Sequence, residues 1–392
     1  MENRDYKMTA GFIGGVLTLA SVYAASSSPI PIFKIYAGNL DLSNGFLSLT
    51  AAIYFLGAIT GLLIFSKISN CFGRRPVIFA ILILTALGCL IFIKLNNGFQ
   101  LMIGRFIQGL SCGMVSSSVS SYIFDTAKIS WIASASVSGA PMVGLSLGSI
   151  GSGIIAGYEN YSLIFEIIIF ILVICGVLIF FGKETAIKSK FFFKYLKPEI
   201  YIPKNVRNIF PSAITVFISS WAIGGFYQAF SSSMAFDYFH SSNVLIASLI
   251  FLSLFLPNIL GGFIAGKFGN KISNYAGITG FLISVIISIF ALWKGIIMLF
   301  LIGCIFESVF WGIAFTKSIS DIMAKISKED RAGVLSSVYI ISYSAAGIPN
   351  LIVGRIANNF SILQIFIGYG ILVFIAFVFN IYFNIINKKL KS

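Results

Sequence analysis

Long stretches without charge are the feature that most constrains how this chain can fold. Marking every Asp, Glu, Lys and Arg leaves twelve apolar runs, and only the tenth contains a charge, Glu307. The runs cover residues 8–33, 42–66, 76–93, 106–124, 129–158, 167–182, 208–236, 238–266, 272–293, 295–316, 332–354 and 356–387. A membrane-spanning helix needs about 20 mostly apolar residues to cross about 30 Å of hydrocarbon. We therefore predict an all-α membrane protein with twelve transmembrane helices.

The composition of the chain excludes the soluble classes. It is 58% hydrophobic and only 10% charged, whereas a soluble domain carries about 25% charged residues. A chain with so few charges cannot cover itself with a polar surface, so we do not expect a soluble enzyme. The runs lack strand alternation and exceed the segments of about 10 residues found in outer-membrane barrels. Helices, which satisfy their own backbone groups in lipid, are therefore expected.

Basic residues predict the orientation in the membrane. If the N-terminus is cytoplasmic, 22 of the 27 Lys and Arg residues fall in segments on the inner side. The positive-inside rule then predicts a multi-pass protein of the cell membrane with both termini in the cytoplasm. The net charge of +14 thus lines one membrane face, which argues against a nucleic-acid partner. The five cysteines form no Cys-x-x-Cys pair, and we expect no metal site and no cofactor.

The runs divide into two sets of six. The longest hydrophilic stretch lies near the middle of the chain, at residues 183–207. We predict an N-terminal six-helix bundle (1–183), a cytoplasmic central loop (184–206) and a C-terminal six-helix bundle (207–392). The basic and aromatic residues of the loop are typical of a segment on the anionic inner leaflet, although a plain linker explains them too. A Gly-Arg-Arg turn after the second span has a counterpart at Gly269 after the eighth, which supports a repeat.

The loop after the second span carries the first of three motifs that resemble the major facilitator superfamily of secondary transporters. Residues 66–75 read SKISNCFGRR and resemble the family pattern Gly-x-x-x-Asp-Arg-x-Gly-Arg-Arg. The resemblance covers essentially the whole chain and implies the two-bundle fold. It also implies that Asn70, Gly73, Arg74 and Arg75 act as an inner gate. Asn70 replaces the aspartate of the family pattern. The ionic contact of the gate is therefore lost, although the amide can still accept a hydrogen bond. An ordinary basic loop would explain the two arginines taken alone.

The fourth span opens with a second motif. Arg105, Gln108 and Gly109 resemble the Arg-x-x-Gln-Gly element that is common among proton-coupled members. The resemblance implies a role for Arg105 in proton coupling. A guanidinium inside the bilayer is costly and normally faces a cavity or a partner, and Gln108 lies on the same helical face. The alternative is that Arg105 snorkels to the outer interface.

The fifth span carries the third motif. Pro141 and Gly144, flanked by Ala140 and Leu145, resemble the Gly-Pro-x-x-Gly-Gly element associated with antiporters, with two glycines replaced. The resemblance implies antiport and a gating role for Pro141 and Gly144. Small residues let helices approach closely and a proline kinks its helix, so a tight packing face alone would use the same residues.

Polar groups inside the spans are the candidates for chemistry. Glu307 is the clearest, because an ionisable residue within a span is a functional hypothesis by default. We predict that it binds and releases a proton, the alternative being a structural acid paired with a Lys or Tyr. Transporters of this kind bind solute near the midplane, between the halves. The predicted solute-binding residues are Tyr23, Ser27, Gln108, Trp221, Tyr227, Gln228, Trp311, Tyr339, Tyr343 and Asn350.

These features together predict a function. We expect a monomeric secondary active transporter, not an enzyme, that moves a small organic solute by alternating access in the lipid bilayer. Proton-coupled efflux by antiport is the preferred version. The alternatives are proton-coupled uptake of a metabolite, a non-transporting membrane receptor or scaffold, and a lipid translocase. No Gly-x-x-x-x-Gly-Lys-Ser/Thr loop is present, so we do not expect ATP to drive the protein directly.

Overall fold

The chain folds almost entirely into helices. The structure is a computed structural model that describes residues 2–158, 160–186, 202–268, 275–326 and 331–389. Within these ranges the α-helices are α1 (Glu2–Ser27), α2 (Phe33–Asn39), α3 (Asn44–Phe65), α4 (Ser69–Phe72), α5 (Arg74–Ile93), α6 (Gly98–Thr126), α7 (Ser130–Ile155), α8 (Leu163–Phe181), α9 (Phe210–Asp237), α10 (Val244–Phe255), α11 (Asn258–Phe268), α12 (Ala276–Lys294), α13 (Ile297–Met323), α14 (Arg331–Ile356) and α15 (Ile362–Lys389). Short 3₁₀ turns lie at Ala156–Tyr158, Lys204–Val206 and Ala357–Asn359.

The spanning helices agree with the charge-free runs except in one place. Among the described residues, 11 helical stretches are long and apolar enough to cross a membrane, and α10 with α11 forms one of them. The remaining predicted span, residues 106–124, lies inside α6. That helix has 29 residues, but Arg105, Gln108 and several serines make it more polar than the others. Length and apolar composition therefore support eleven spans, and the predicted count of twelve is not confirmed.

Glycine and proline set several of the helix ends. α1 ends at Ser27, shortly before Pro29 and Pro31, because proline lacks an N–H and disfavours helix in the residue before it. α5 begins after Gly73, whose φ of 102° is one that favours glycine. α12 is followed by Gly295 in the left-handed region, with a φ of 68°, as is common at helix C-termini.

The contacts group the chain into two compact units. Unit 1 comprises Met1–Leu42 and Ile53–Pro198, and unit 2 comprises Ser43–Ala52 and Glu199–Ser392. The first part of α3 is therefore grouped with unit 2. Most of the predicted central loop, residues 187–201, lies outside the described residues, as does Gly269 of the second turn. The predicted domain boundaries stay predictions.

Unit 1 is built around α1. This helix packs against α6, α7 and α8, and α5 packs against α6 and α8. Aromatic stacking fixes one end of the unit, where the rings of Phe92 and Phe165 lie 5.1 Å apart at an interplanar angle of 13°. Both side chains are buried. The direct packing of α1 on α6 brings the polar residues of these two helices together.

Unit 2 is built around α9. This helix packs against α14 and α15, while α13 packs against α11 and α12. Rings fill the centre of the unit, and those of Phe226 and Phe366 stack at 4.6 Å. Phe210, Phe217 and Val338 belong to a second buried cluster at the start of α9. These contacts position the polar and aromatic side chains of α9, α13 and α14.

Candidate functional site

The first candidate site lies in unit 1, where α1 stops. The last carbonyls of an α-helix have no partner within the helix. Nε2 of Gln108 donates to the carbonyl oxygen of Ala25 at 2.7 Å, and Nη1 of Arg105 donates to that of Ser26 at 2.6 Å. Arg105 also donates to Oε1 of Gln108 at 3.0 Å. Two residues of α6 therefore cap α1 and place a cation at its negative end.

Aromatic rings enclose the guanidinium of Arg105. The side chain is 0% exposed, and its guanidinium carbon lies 4.3 Å from the ring centroid of Tyr54 and 5.5 Å from that of Phe33. Aromatic faces attract a desolvated cation. Complete burial is inconsistent with a side chain that snorkels to the outer interface. The structure brings Arg105 and Gln108 together as the motif predicts, and the part of Arg105 in proton coupling stays a prediction.

The serines near the end of α1 hold neighbouring helices. Oγ of Ser152 on α7 donates to the carbonyl oxygen of Ser28 at 2.6 Å. The hydroxyls of Tyr23 and Ser116, on α1 and α6, lie 2.9 Å apart. Ser27 is buried and donates to a carbonyl of its own helix. Tyr23 and Ser27 thus make contacts within unit 1, and solute binding by either residue stays a prediction.

The second candidate site is the carboxyl group of Glu307 in unit 2. The residue is 0% exposed, and neither carboxyl oxygen has a hydrogen-bond partner among the described residues. The hydroxyls of Tyr227 and Ser288 lie near the carboxyl group. The Tyr227 hydroxyl contacts Sγ of Cys304 at 3.1 Å. No hydrogen bond to the acid forms within the described residues, but the neighbouring Tyr227 leaves the structural alternative open, and the proton-binding role of Glu307 stays a prediction.

A row of aromatic side chains lies one turn from Glu307 along α13. The ring centroid of Trp221 is 5.0 Å from that of Tyr343 and 6.1 Å from that of Trp311. Tyr339 stacks on Tyr343 at 6.2 Å. The indole N–H of Trp221 is buried without a hydrogen-bond partner in the described part of the chain. Helices α9, α13 and α14 thus bring four of the predicted solute-binding residues into one row with an unused donor.

Asn350 lies in a separate polar cluster of unit 2. Its Oδ1 accepts a hydrogen bond from the Tyr369 hydroxyl at 3.0 Å, and its carbonyl oxygen accepts one from Ser48 at 2.8 Å. Its Nδ2 donates to the carbonyl oxygen of Ala346 at 3.0 Å. Gln228 is buried on α9. The amide of Asn350 is therefore engaged in helix contacts, and solute binding by Asn350 and Gln228 stays a prediction.

The predicted inner gate is a polar network at one end of unit 1. Nη1 of Arg74 donates to Oγ of Ser69 at 2.6 Å and to Oδ1 of Asn70 at 3.0 Å. Nε of Arg74 pairs with Oδ2 of Asp125 at 3.1 Å, and the Thr185 hydroxyl donates to the same oxygen at 2.9 Å. Asn70 does accept a hydrogen bond, and Asp125 supplies a carboxylate for Arg74. The gating role of these residues is untested.

Glu184 is a member of this network that the sequence analysis missed. Its carboxylate accepts hydrogen bonds from the N–H groups of Arg74 (2.8 Å) and Arg75 (3.0 Å), the first residues of α5. The N–H groups of Thr185 and Ala186 also donate to it. Burial raises the pKa of Glu184, but these four backbone donors outweigh burial and hold the pKa below its ordinary value. The only signal in the sequence is its place just after the sixth span.

Backbone contact between α1 and α7 explains the glycines of the third motif. Pro141 lies inside α7. A Cβ atom on Gly144 would collide with the carbonyl oxygen of Ala20, and one on Gly148 would collide with that of Ala24. Only glycine allows this approach. Gly144 is thus required for packing on α1, and the gating role of Pro141 and Gly144 stays a prediction.

Comparisons with other sequences agree with the geometry. The family model for the Major Facilitator Superfamily matches residues 15–349. An uncharacterized transporter of Rickettsia felis is 27% identical over 258 residues, covering 61% of this chain and 59% of that protein. An uncharacterized transporter of Buchnera aphidicola is 28% identical over 167 residues, 41% of this chain and 42% of that protein. The chain thus spans less than two thirds of these relatives in the matched segments.

Solved structures share the fold. A bacterial homolog of the human lysosomal transporter Spinster superposes with a TM-score of 0.78 at 13% identity, covering 95% of this chain and 96% of the other. A variant of the nucleoside transporter NupG superposes with a TM-score of 0.75 at 10% identity, covering 95% and 99%. At these identities the likeness concerns the fold alone. Since the family match extends over most of the sequence, the chain belongs to the Major Facilitator Superfamily.

Proposed function

We propose that this protein is a secondary active transporter that moves a small organic solute across the cell membrane by alternating access. Family membership and the eleven apolar helical stretches among the described residues support the proposal. Counting α6 as the twelfth span gives six spans in each half of the sequence. Both termini then lie in the cytoplasm, as the distribution of basic residues predicts. We expect the protein to act as a monomer.

The carboxyl group of Glu307 carries the proposal for proton coupling. It is fully buried and has no hydrogen-bond partner among the described residues. An unpaired carboxylate buried away from water is strongly destabilised, so we expect Glu307 to be the neutral acid in this state. It can release its proton only in a state where water or a partner reaches it. Proton binding at Glu307 therefore favours one conformation over another, which is what coupling requires.

The aromatic row of Trp221, Trp311, Tyr339 and Tyr343 supports a planar or cationic organic solute. Aromatic faces attract cations, and the unused N–H of Trp221 offers one directional contact. Exchange of such a solute for protons is efflux by antiport. Arg105, in unit 1, places a fixed positive charge at the end of α1, and we propose that it takes part in proton coupling.

Labelling with dicyclohexylcarbodiimide tests the proton-binding step without a known solute, because this apolar reagent modifies protonated carboxyl groups in membranes. We expect mass spectrometry to find an adduct at Glu307 at pH 6 and less of it as the pH rises. Glu307→Gln should give no adduct, while Tyr227→Phe should still give one. A folded wild-type protein that is never modified at Glu307 would exclude the acid from proton exchange.

A transport assay tests the coupling itself. Ethidium, a planar aromatic cation, serves as the probe in proteoliposomes with a pH gradient. Glu307→Gln is expected to abolish gradient-driven ethidium movement while leaving expression and melting temperature unchanged. The direction of movement in vesicles of known orientation separates efflux from uptake. Equal ethidium transport by the wild type and by Glu307→Gln would remove Glu307 from the mechanism.

A further inference from the structure

An apolar groove runs along unit 1 between α5 and α8. It has a volume of about 570 Å³ and is lined by residues between 79 and 86 of α5 and between 169 and 181 of α8, all of them apolar or glycine. Ile83 and Phe180 form its rims and are 62% and 63% exposed. Ala86 and Gly176 line it where larger side chains would fill the space between the helices. The groove is therefore an open slot beside two spanning helices.

The length of the groove matches one leaflet of a bilayer. The stretch of α8 from Ile169 to Phe181 rises about 18 Å at 1.5 Å per residue. Half of the hydrocarbon thickness of a bilayer is about 15 Å. Since α8 ends at Phe181, the groove extends from one end of a spanning helix to about the middle of the membrane. A single acyl chain of one leaflet has this extent.

A positive charge lies at the end of the groove nearest the membrane surface. Nε of Arg75 donates to the carbonyl oxygen of Ile179 at 2.9 Å, and Nη2 donates to that of Phe180. The guanidinium carbon lies 5.8 Å from the ring centroid of Phe180, which lines the groove. The carboxylate of Glu184 is already occupied by four backbone N–H groups. In the described part of the chain, only Nε and Nη2 of the Arg75 guanidinium have hydrogen-bond partners, so Nη1 is left to donate to a phosphate group.

We propose that this groove binds one anionic phospholipid, with an acyl chain in the slot and the phosphate at Arg75. The proposal depends on the cytoplasmic placement of the start of α5, because the cytoplasmic leaflet carries the anionic lipids. It does not depend on proton exchange at Glu307. A neutral lipid would fill the slot without a net charge interaction, and free phosphate would have no chain to bury. The bound lipid would brace α5 against α8 beside the network of Arg74 and Glu184.

Photo-crosslinking of the full-length protein in nanodiscs tests this site. The probes are phosphatidylglycerol and phosphatidylcholine, each with a diazirine on one acyl chain, and the adducts are mapped by mass spectrometry. One basic residue near the surface should favour the anionic lipid by about fivefold. We therefore expect phosphatidylglycerol to label peptides of α5 and α8 about fivefold more than phosphatidylcholine does. Equal labelling by the two lipids would overturn the proposal.

Two substitutions separate the chain site from the head-group site. Gly176→Leu fills the slot and should abolish labelling by both lipids. Gly176→Ala is the control, because its Cβ would make only ordinary contacts, with the nearest atom of Phe79 at 3.6 Å. Arg75→Gln should remove the preference for phosphatidylglycerol, and Arg75→Lys should retain most of it. Unchanged labelling in a folded Gly176→Leu protein would show that the slot holds no lipid. If Arg75→Gln does not fold, the Gly176 pair decides the proposal.

Discussion

Two glutamates in this chain occupy opposite surroundings. Glu307 is buried in a spanning helix without a hydrogen-bond partner among the described residues, whereas Glu184 accepts four backbone hydrogen bonds. The sequence reveals Glu307 because a charge inside an apolar run stands out. It does not reveal Glu184, because a glutamate in a polar loop has no distinctive pattern. Its bond to Arg74 joins residues 110 positions apart, which only the tertiary fold brings together.

The surroundings of Glu184 predict a pH-dependent contribution to stability. Because its folded-state pKa lies below the ordinary value, its carboxylate stabilises the fold above the ordinary glutamate pKa. The contribution is lost as the pH falls through the lowered folded-state pKa. Glu184→Gln should therefore lower the melting temperature at pH 7, by an amount equivalent to about 1 kcal/mol, which is typical for a lost helix cap.

Thermal denaturation in detergent between pH 7 and pH 3 measures this contribution. The difference between the wild type and Glu184→Gln should shrink as the carboxylate is protonated. Glu166→Gln is the control, since Glu166 lies on α8 and its carboxylate accepts an exposed hydrogen bond from the Ser162 hydroxyl. A difference that stays constant across the pH range would contradict the capping role of Glu184.

At the scale of helices, charge-free runs locate the spans well but not the irregular parts of the chain. The charge pattern does not predict the short helices α2 and α4, nor the break between α10 and α11. The break follows from Pro257, which lies between Phe255 and Asn258. α6 is the opposite case, since its polar residues reduce its hydropathy although they are buried in unit 1. Burial inside a bundle therefore cannot be read from hydropathy.

The contact between α1 and α7 predicts a strong effect of a single methyl group. Gly144→Ala would force a Cβ against the backbone of Ala20. The clash can be relieved only if α1 and α7 move apart. We expect a loss of about 2 kcal/mol, as for overpacked cores, measured by chemical denaturation in detergent. Gly139→Ala on the same helix is the matched control, because nothing lies within 4 Å of its Cβ position. Equal stability of both variants would show that α1 and α7 are not in backbone contact.

At the scale of the whole molecule, the family and the helical fold follow from the sequence, while the direction of insertion rests on the basic residues alone. Cysteine labelling can decide it in the native sequence. Cys71 is half-buried, and the other cysteines, Cys89, Cys112, Cys175 and Cys304, are buried. Cys71 lies in the short helix α4, in the connection between α3 and α5, which the positive-inside rule places in the cytoplasm.

We therefore expect a membrane-impermeant maleimide to label the protein in inside-out vesicles and not in right-side-out vesicles. Labelling should map to Cys71 and disappear in Cys71→Ser. Labelling of Cys71 in right-side-out vesicles would reverse the proposed orientation. It would also move Arg75 to the outer leaflet and so remove the basis for its anionic lipid.

The capped end of α1 has a consequence for how inactive variants should be interpreted. Arg105 supplies a charge and also caps the C-terminal end of α1, by donating a hydrogen bond to the Ser26 carbonyl oxygen. Arg105→Ala would remove both the charge and the helix cap. An inactive Arg105→Ala protein would therefore not show whether Arg105 takes part in proton coupling. Lysine keeps the charge but cannot reproduce the fork geometry of arginine. If Arg105→Lys and Gln108→Leu both lose activity, the cause would therefore be the lost cap of α1. The charge would not be the cause, because Gln108 carries none.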